Sequence, residues 1–152
     1  MAVTIETVRE RIIAAIKDIT PTATATAEVL RFHHVGDDHA DVESSAPSSS
    51  MERAFEVIPA GFENGDIQHP GTREEVRVFR VKVKYPGMHD QSRLWSLAVM
   101  DQADIKVALE DGESWGADVI IQLVAEGAGP QLIPNYGILL VVDVVSTFLA
   151  PR

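Results

Sequence analysis

The last strand of the chain, Gly137-Ile-Leu-Leu-Val-Val-Asp-Val-Val-Ser-Thr-Phe-Leu149, is apolar on both of its faces. Side chains on a strand alternate between its two faces. One face therefore takes Ile138, Leu140, Val142, Val144 and Phe148, and the other takes Leu139, Val141, Val145 and Leu149. An outer strand of a small antiparallel sheet should have a polar face, and this one does not. The pattern predicts that another layer of the chain or a neighbouring subunit covers each side.

The segments before this strand carry clear helical and extended patterns. Apolar residues recur every three or four positions over residues 4–19, which predicts an amphipathic helix that Thr4 caps and Thr20-Pro21 ends. Residues 74–85 alternate between apolar and charged side chains, which predicts a long strand. The apolar face of this strand changes midway, a pattern typical of a bulge or of a strand whose halves bury opposite faces.

A second helix is predicted from residue 90 or 92 to residue 111, closed by Gly112. Asp101-Gln-Ala-Asp104 marks a candidate break within it. Its predicted apolar surface consists of Leu94, Leu97, Val99, Ile105, Ala108 and Leu109. Shorter strands are predicted at 53–58 and 117–125, and a Gly- and Pro-rich connection at 126–136.

Together these elements predict one α+β domain over residues 1–152, with a long loop at about 33–50. The sheet is expected to be antiparallel or mixed, with about four strands, and the N-terminal and central helices are expected to pack on one of its faces. The length and the apolar content of 45% fit one compact domain.

The net charge of −10 argues against general binding to DNA phosphates, which requires a basic surface. An acidic surface fits solubility, and it also fits a channel that DNA passes without binding. The chain has no cysteine, so disulfides, a thiolate nucleophile and a cysteine zinc site are excluded. Neither a membrane span nor a signal peptide is predicted.

Histidines and aspartates crowd one part of the predicted loop: His33, His34, Asp37, Asp38, His39 and Asp41. These residue types ligate zinc or manganese, but a loop implies no fixed geometry. A solvated polar loop, a metal site and a pH-sensitive contact all fit the pattern, and we assign no metal ligand. The sequence contains no known catalytic motif or nucleotide-binding fingerprint, so we expect neither an enzyme nor a cofactor.

The basic residues concentrate on the long strand: Arg73, Arg77, Arg80, Lys82 and Lys84. They suit a solvated strand face, a salt-bridge surface between subunits, or a DNA contact, which the overall charge opposes. Asp143 lies in an apolar strand and needs solvent or a cation, so Arg77 or Arg80 of a neighbouring subunit is a candidate partner. The predicted subunit-interface residues are Arg77, Phe79, Arg80, Lys82, Val141, Asp143 and Val145.

The order of elements resembles the tail-terminator proteins of long-tailed bacteriophages. The resemblance covers nearly the whole chain and rests on pattern and size. After the N-terminal helix and the long loop come Arg53-Ala-Phe-Glu-Val57, the strand 76–85, the helical Asp101-Gln-Ala-Asp-Ile-Lys-Val-Ala-Leu109, and a hairpin of 117–125 with 137–149.

The resemblance implies a structural virion protein that forms a ring, usually hexameric, on the head-proximal end of the tail tube. Such a ring ends tube polymerisation and joins the tail to the head connector, or stopper, protein. Its partners would be its own copies, the tail-tube protein and the connector, while DNA passes the lumen without specific binding. It would be located in the virion tail or neck after assembly in the host cytoplasm. Another neck-completion protein, a non-viral oligomeric binding module and a small metal-dependent enzyme remain alternatives.

Overall fold

The structure is a computed structural model that describes residues 4–22, 31–35, 52–64, 72–87, 91–110, 119–133 and 137–151. Its elements are, in chain order, α1 (Ile5–Lys17), β1 (His33–His34), β2 (Ala54–Asn64), β3 (Thr72–Pro86), α2 (Gln91–Glu110), β4 (Val119–Ile133) and β5 (Gly137–Pro151). The strands form one mixed sheet in the order β1-β2-β3-β5-β4. Only β1 and β2 pair in parallel among these strands. The predicted α+β class is confirmed, with five described strands where about four were predicted.

Helix α1 follows its sequence pattern closely. The backbone N–H of Thr7 donates to Thr4 Oγ1 at 3.1 Å, so Thr4 is the N-cap that was predicted. Val8, Ile12 and Ile16 are fully buried along one stripe of the helix. The helix therefore packs through the face that its apolar spacing indicates.

The hydrophobic core lies between the two helices and one face of the sheet. Strand β3 contributes Phe79, Val81, Val83 and Tyr85, all fully buried. Strand β5 contributes one of its two apolar faces: Ile138, Leu140, Val142, Val144 and Phe148. Both helices bury residues in this same cluster, so they lie on the same side of the sheet.

The change of face within β3 coincides with a bulge on the neighbouring strand. Pairing between β2 and β3 shifts register between Pro59, which lies opposite Phe79, and Gly61, which lies opposite Val78. Pairing between β3 and β5 runs without a shift along the whole of β3. The predicted bulge in this strand is therefore wrong, because β3 is regular and the extra residue lies on β2.

The predicted connection at 126–136 is wrong over residues 126–133, which belong to strand β4. The strand continues to Ile133 and absorbs the glycine-rich part in a register shift between Ala125 and Gly129. Pro130 pairs opposite Leu140. Because β4 is the last strand of the sheet, the missing N–H of a proline is tolerated there. Over residues 126–133 the glycines and the proline therefore mark a bulged edge strand and not a loop, and residues 134–136 lie outside the described residues.

Helix α2 is continuous from Gln91 to Glu110, so the predicted break at 101–104 is wrong. Asp101, which suggested the break, is fully buried in the helix interior. Of the predicted loop at 33–50, His33 and His34 form β1, and residues 36–50 lie outside the described residues. No described helix has both the length and the apolar composition of a membrane span.

Candidate assembly surfaces

One face of the sheet is turned away from both helices, and we call it the open face. It consists of alternate residues on the three central strands: Glu56 and Ile58 on β2; Val76, Val78, Arg80 and Lys82 on β3; Leu139, Val141, Asp143 and Val145 on β5. Most of these side chains are half-buried, although Val141 is only 7% exposed, and Ala54 and Lys84 at one end of the same side are buried. The second apolar face of β5 therefore lies here, and no described helix covers it.

Arg80 and Asp143 form an ion pair at the centre of the open face. They lie directly opposite each other on β3 and β5. Arg80 Nε donates to Asp143 Oδ1 at 2.9 Å, and Nη2 donates to Oδ2 at 3.3 Å. Hydrogen bonding to this carboxylate, together with its charge, raises the pKa of Arg80 above its ordinary value. The cation that Asp143 requires is therefore in the same chain, and the proposed partner in another subunit is not needed.

The two lysines of β3 lie on the same side of the strand as Arg80. Lys82 is opposite Glu56 on β2 and Val141 on β5. Lys84 is almost completely buried, and this burial lowers the pKa of its ammonium group. Opposite charges directly across neighbouring strands attract, so the carboxylates of Asp143 and Glu56 offset much of the positive charge on this face.

Two predicted interface residues lie on the other side of the sheet. Phe79 is fully buried in the core beneath the helices, so it does not contribute to an assembly surface in the folded subunit. Arg77 shares this helix side and lies opposite Ser146 of β5, where its Nε donates to Glu75 Oε2 at 3.2 Å. The strand alternation that places Arg80 and Lys82 on the open face places Phe79 and Arg77 away from it.

Helix α2 presents a second surface, which we call the outer face of α2. It consists of the exposed residues between 95 and 107, and all of them are uncharged: Trp95, Ser96, Val99, Met100, Ala103 and Val107. Val107 is 73% exposed, Val99 46% and Trp95 44%. Leu132 of β4 is also exposed. In a chain with 24% charged residues, this face carries little charge over more than three turns, since helical spacing places on it only the half-buried Lys106.

This outer face was not predicted, because the apolar spacing places Val99 within a single apolar surface of the helix. A signal was nevertheless present. Apolar residues occupy most of the circumference of α2, and a helix that is apolar all round is normally covered on all sides. The inward side takes Leu94, Leu97, Ile105 and Leu109. The apolar residues left over indicate a second contact.

A buried polar cluster connects α2 to the sheet. Arg53 donates to both oxygens of Asp101, Nε at 2.8 Å and Nη2 at 2.9 Å. Tyr85 donates its hydroxyl to Asp101 Oδ2 at 2.7 Å, and the Arg53 guanidinium lies 5.7 Å from the ring centroid of Phe32. Burial, and then the negative charge of Asp101, raise the pKa of Tyr85 well above its ordinary value. Because solvent does not reach these groups, they stabilise the fold and cannot act on a substrate.

Arg53 occupies a strained backbone position. Its φ is 65°, in the left-handed region that residues other than glycine rarely adopt. Its backbone N–H donates to the carbonyl of Lys84 at 2.9 Å, and its carbonyl accepts from the N–H of His33 at 3.0 Å. The backbone turn and the side-chain cluster together fix the entry of the chain into β2.

The histidine cluster receives no further support within the described residues. In the part of the chain that the structure describes, no three His, Cys, Asp or Glu side chains are placed to hold a metal ion. The residues from Asp37 to Asp41 lie outside that part. Neither the protein-family models nor the curated proteins compared with this sequence match it.

Proposed function

We propose that this protein is a structural subunit that associates with its own copies into a ring of the tail-terminator type. The observation that carries the proposal is the open face, where the second apolar face of β5 has no covering layer among the described elements. A sheet that is covered by helices on one side buries only half of such a strand. A neighbouring subunit can cover the other half.

The energetic reason is the apolar surface of the open face. Leu139 and Val145 are only half-buried in the single subunit. Each Å² of apolar surface removed from water contributes about 25 cal/mol. Repeated head-to-tail contacts between copies generate either a closed ring or an open filament, and a tail terminator requires the ring.

The hydrogen bonding of β3 within its own subunit limits which surface the proposed contact between subunits can use. Strand β3 is bonded to β2 and β5 over most of its length within its own subunit, so it does not extend out to a neighbour, and this removes one argument for assembly. The proposed contact therefore uses the face of the sheet and not an added strand. Arg80, Lys82, Val141, Asp143 and Val145 lie on that face, and Arg77 and Phe79 are no longer candidates.

The charge of the chain supports the proposed position in the virion. With a net charge of −10, a ring of these subunits repels DNA phosphates, so DNA can pass the lumen without binding. The proposed partners are the tail-tube protein on one side of the ring and the head connector on the other. Neither a cofactor nor a membrane takes part in this function.

A different oligomeric protein, such as another neck-completion protein or a non-viral binding module, would use the same open face. The two functions differ in one property, because only a terminator binds the end of a tail tube and stops its growth. Assembly into a small closed oligomer without affinity for tubes would favour the second function.

The experiment is light scattering of the purified protein, alone and with tail-tube subunits, followed by measurement of tube length. We expect rings, or monomers that become rings on tube ends, and tubes that stop growing. Val145→Asp should abolish assembly, whereas Ala14→Asp on the exposed side of α1 should not. A stable monomer that leaves tube growth unchanged would refute the proposal.

A further inference from the structure

The open face and the outer face of α2 lie on opposite sides of the domain. Helix α2 packs its inward side on β4 and β5, and the open face is the reverse side of the same sheet. Each subunit therefore presents a mainly apolar helical surface on one side and a partly apolar sheet surface on the other. Two such surfaces on opposite sides suit a head-to-tail contact between identical subunits.

The two surfaces match in size. The outer face of α2, from Trp95 to Val107, is about 18 Å long at 1.5 Å per residue. On β5, the open-face stretch from Leu139 to Val145 is about 20 Å long at 3.4 Å per residue. A helix about 10 Å across covers two strands spaced about 4.8 Å apart, which here are β3 and β5.

The charges also favour this pairing. An acidic chain repels its own copies wherever two acidic surfaces meet, so a mainly apolar surface is the favourable one to bury. On the open face, the charge of Arg80 is already neutralised by Asp143 within the subunit. A helix surface made mainly of apolar side chains can therefore cover the Arg80–Asp143 pair without leaving a new unpaired charge, which would be costly.

We infer that the outer face of α2 of one subunit docks on the open face of the next, so that each sheet lies between its own helices and those of a neighbour. This inference rests on the proposed function, since it specifies the contact that closes the ring. It also explains why both faces of β5 are apolar. The helices of the same chain cover one face, and α2 of a neighbouring subunit covers the other.

The absence of cysteine in the natural chain allows a direct test. Val99→Cys places one thiol at the centre of the outer face of α2, and Val145→Cys places one on the open face. Ala14→Cys on the exposed side of α1 is the matched control. Each variant is treated with a short bismaleimide cross-linker alone and in mixtures of two, and covalent dimers are measured on denaturing gels.

We expect covalent dimers when Val99→Cys and Val145→Cys are mixed, and few when either is treated alone or mixed with Ala14→Cys. Efficient cross-linking of Val99→Cys with itself would show that α2 pairs with α2 around a two-fold axis, and would overturn the inference. Absence of the mixed cross-link in a protein that light scattering shows to be assembled would overturn it while leaving the proposed function intact. A natural protein that is monomeric with and without tubes would overturn both.

A charge substitution gives an independent readout. Val107→Glu replaces a side chain that is 73% exposed in the single subunit, so the fold should be retained. Docking would bury the new carboxylate without a partner, and we expect self-association to weaken by at least about tenfold, equivalent to about 1.4 kcal/mol. Ala14→Glu is the control for added negative charge. Equal weakening by both variants, or by neither, would contradict the docking of α2.

Discussion

The guanidinium of Arg53 and the carboxylate of Asp101 form a buried bidentate pair, with hydrogen bonds of 2.8 and 2.9 Å. The two residues are 48 positions apart and connect the start of β2 to the middle of α2. Helix α2 supplies Asp101 on its inward side and Val99 and Val107 on its outward side. The pair therefore holds in place the helix whose outer face we assign to a neighbouring subunit.

Asp101→Asn should strongly destabilise the subunit. The amide keeps the shape of the carboxylate but removes the negative charge that the buried Arg53 guanidinium contacts, which costs about 3–5 kcal/mol. The matched control is Asp104→Asn, because Asp104 accepts two hydrogen bonds from Thr22 at an exposed position. Its loss should cost about 1 kcal/mol. The free energy of unfolding in urea measures both, and equal values for the two variants would contradict the role assigned to Arg53.

Tyr85 should make stability depend on pH above 10. Its pKa is raised well above the ordinary value of 10.0 in the folded subunit, so in this pH range only the unfolded chain releases the proton. The stabilisation is complete below pH 10 and is lost as pH rises towards the folded pKa, at about 1.4 kcal/mol per pH unit. Burial lowers the pKa of the Lys84 ammonium group. This group therefore has the opposite effect on stability, which it increases as pH rises towards 10.5.

Tyr85→Phe isolates this effect, because Lys84 is present in both proteins. The variant lacks the hydrogen bond to Asp101 and should be less stable than the natural protein at pH 8. Its disadvantage should shrink above pH 10 because it has no phenol to ionise. Unfolding in urea at several pH values measures the difference. A constant difference from pH 8 to pH 11 would show that the Tyr85 pKa is not raised.

Gly137→Ala should be among the most damaging single substitutions in the sheet. At φ 149°, a Cβ at this position would lie 2.2 Å from the carbonyl oxygen of Tyr85, a backbone atom that cannot move aside cheaply. We expect a loss of at least about 2–3 kcal/mol. Gly129→Ala is the control, since its φ is 58° but the nearest contact is the Gln102 side chain at 3.6 Å.

The control should lose only about 1 kcal/mol of stability, which is the cost of placing a residue other than glycine in the left-handed conformation. Thermal unfolding of the two variants side by side gives the comparison. If Gly137→Ala loses no more than Gly129→Ala, the close approach of β5 to the end of β3 is not as tight as described.

The Arg80–Asp143 pair should add little to the stability of the single subunit. The Arg80 side chain is 43% exposed, and partly solvated pairs of this kind contribute about 0.5 kcal/mol. A double-mutant cycle of Arg80→Met and Asp143→Asn measures the coupling, and salt should reduce it. The cycle is run at a concentration where light scattering shows only monomer. A coupling above about 2 kcal/mol would indicate that the open face is less solvated than the single subunit implies.

The sequence predicted helices and strands best where the spacing of apolar residues is constant along the whole element. Thr4 and the isoleucine stripe of α1 defined that helix because capping and spacing are local properties. The prediction of a connection at 126–136 failed because glycine and proline are tolerated on a bulged edge strand, and the position of a strand at the edge is not a local property. The candidate break at Asp101 failed for a similar reason, since its partner Arg53 is distant in the chain.

By itself, the sequence determined that β5 has two apolar faces and that the chain is an α+β domain, because alternation and helical spacing depend only on the order of residues. The tertiary structure decided what lies against each face. It placed the helices over Val142 and Phe148, paired Asp143 with Arg80 of the same chain, and left Val99 exposed on α2. Periodicity fixes which side chains share a face, whereas only the packing of distant segments determines whether that face is covered.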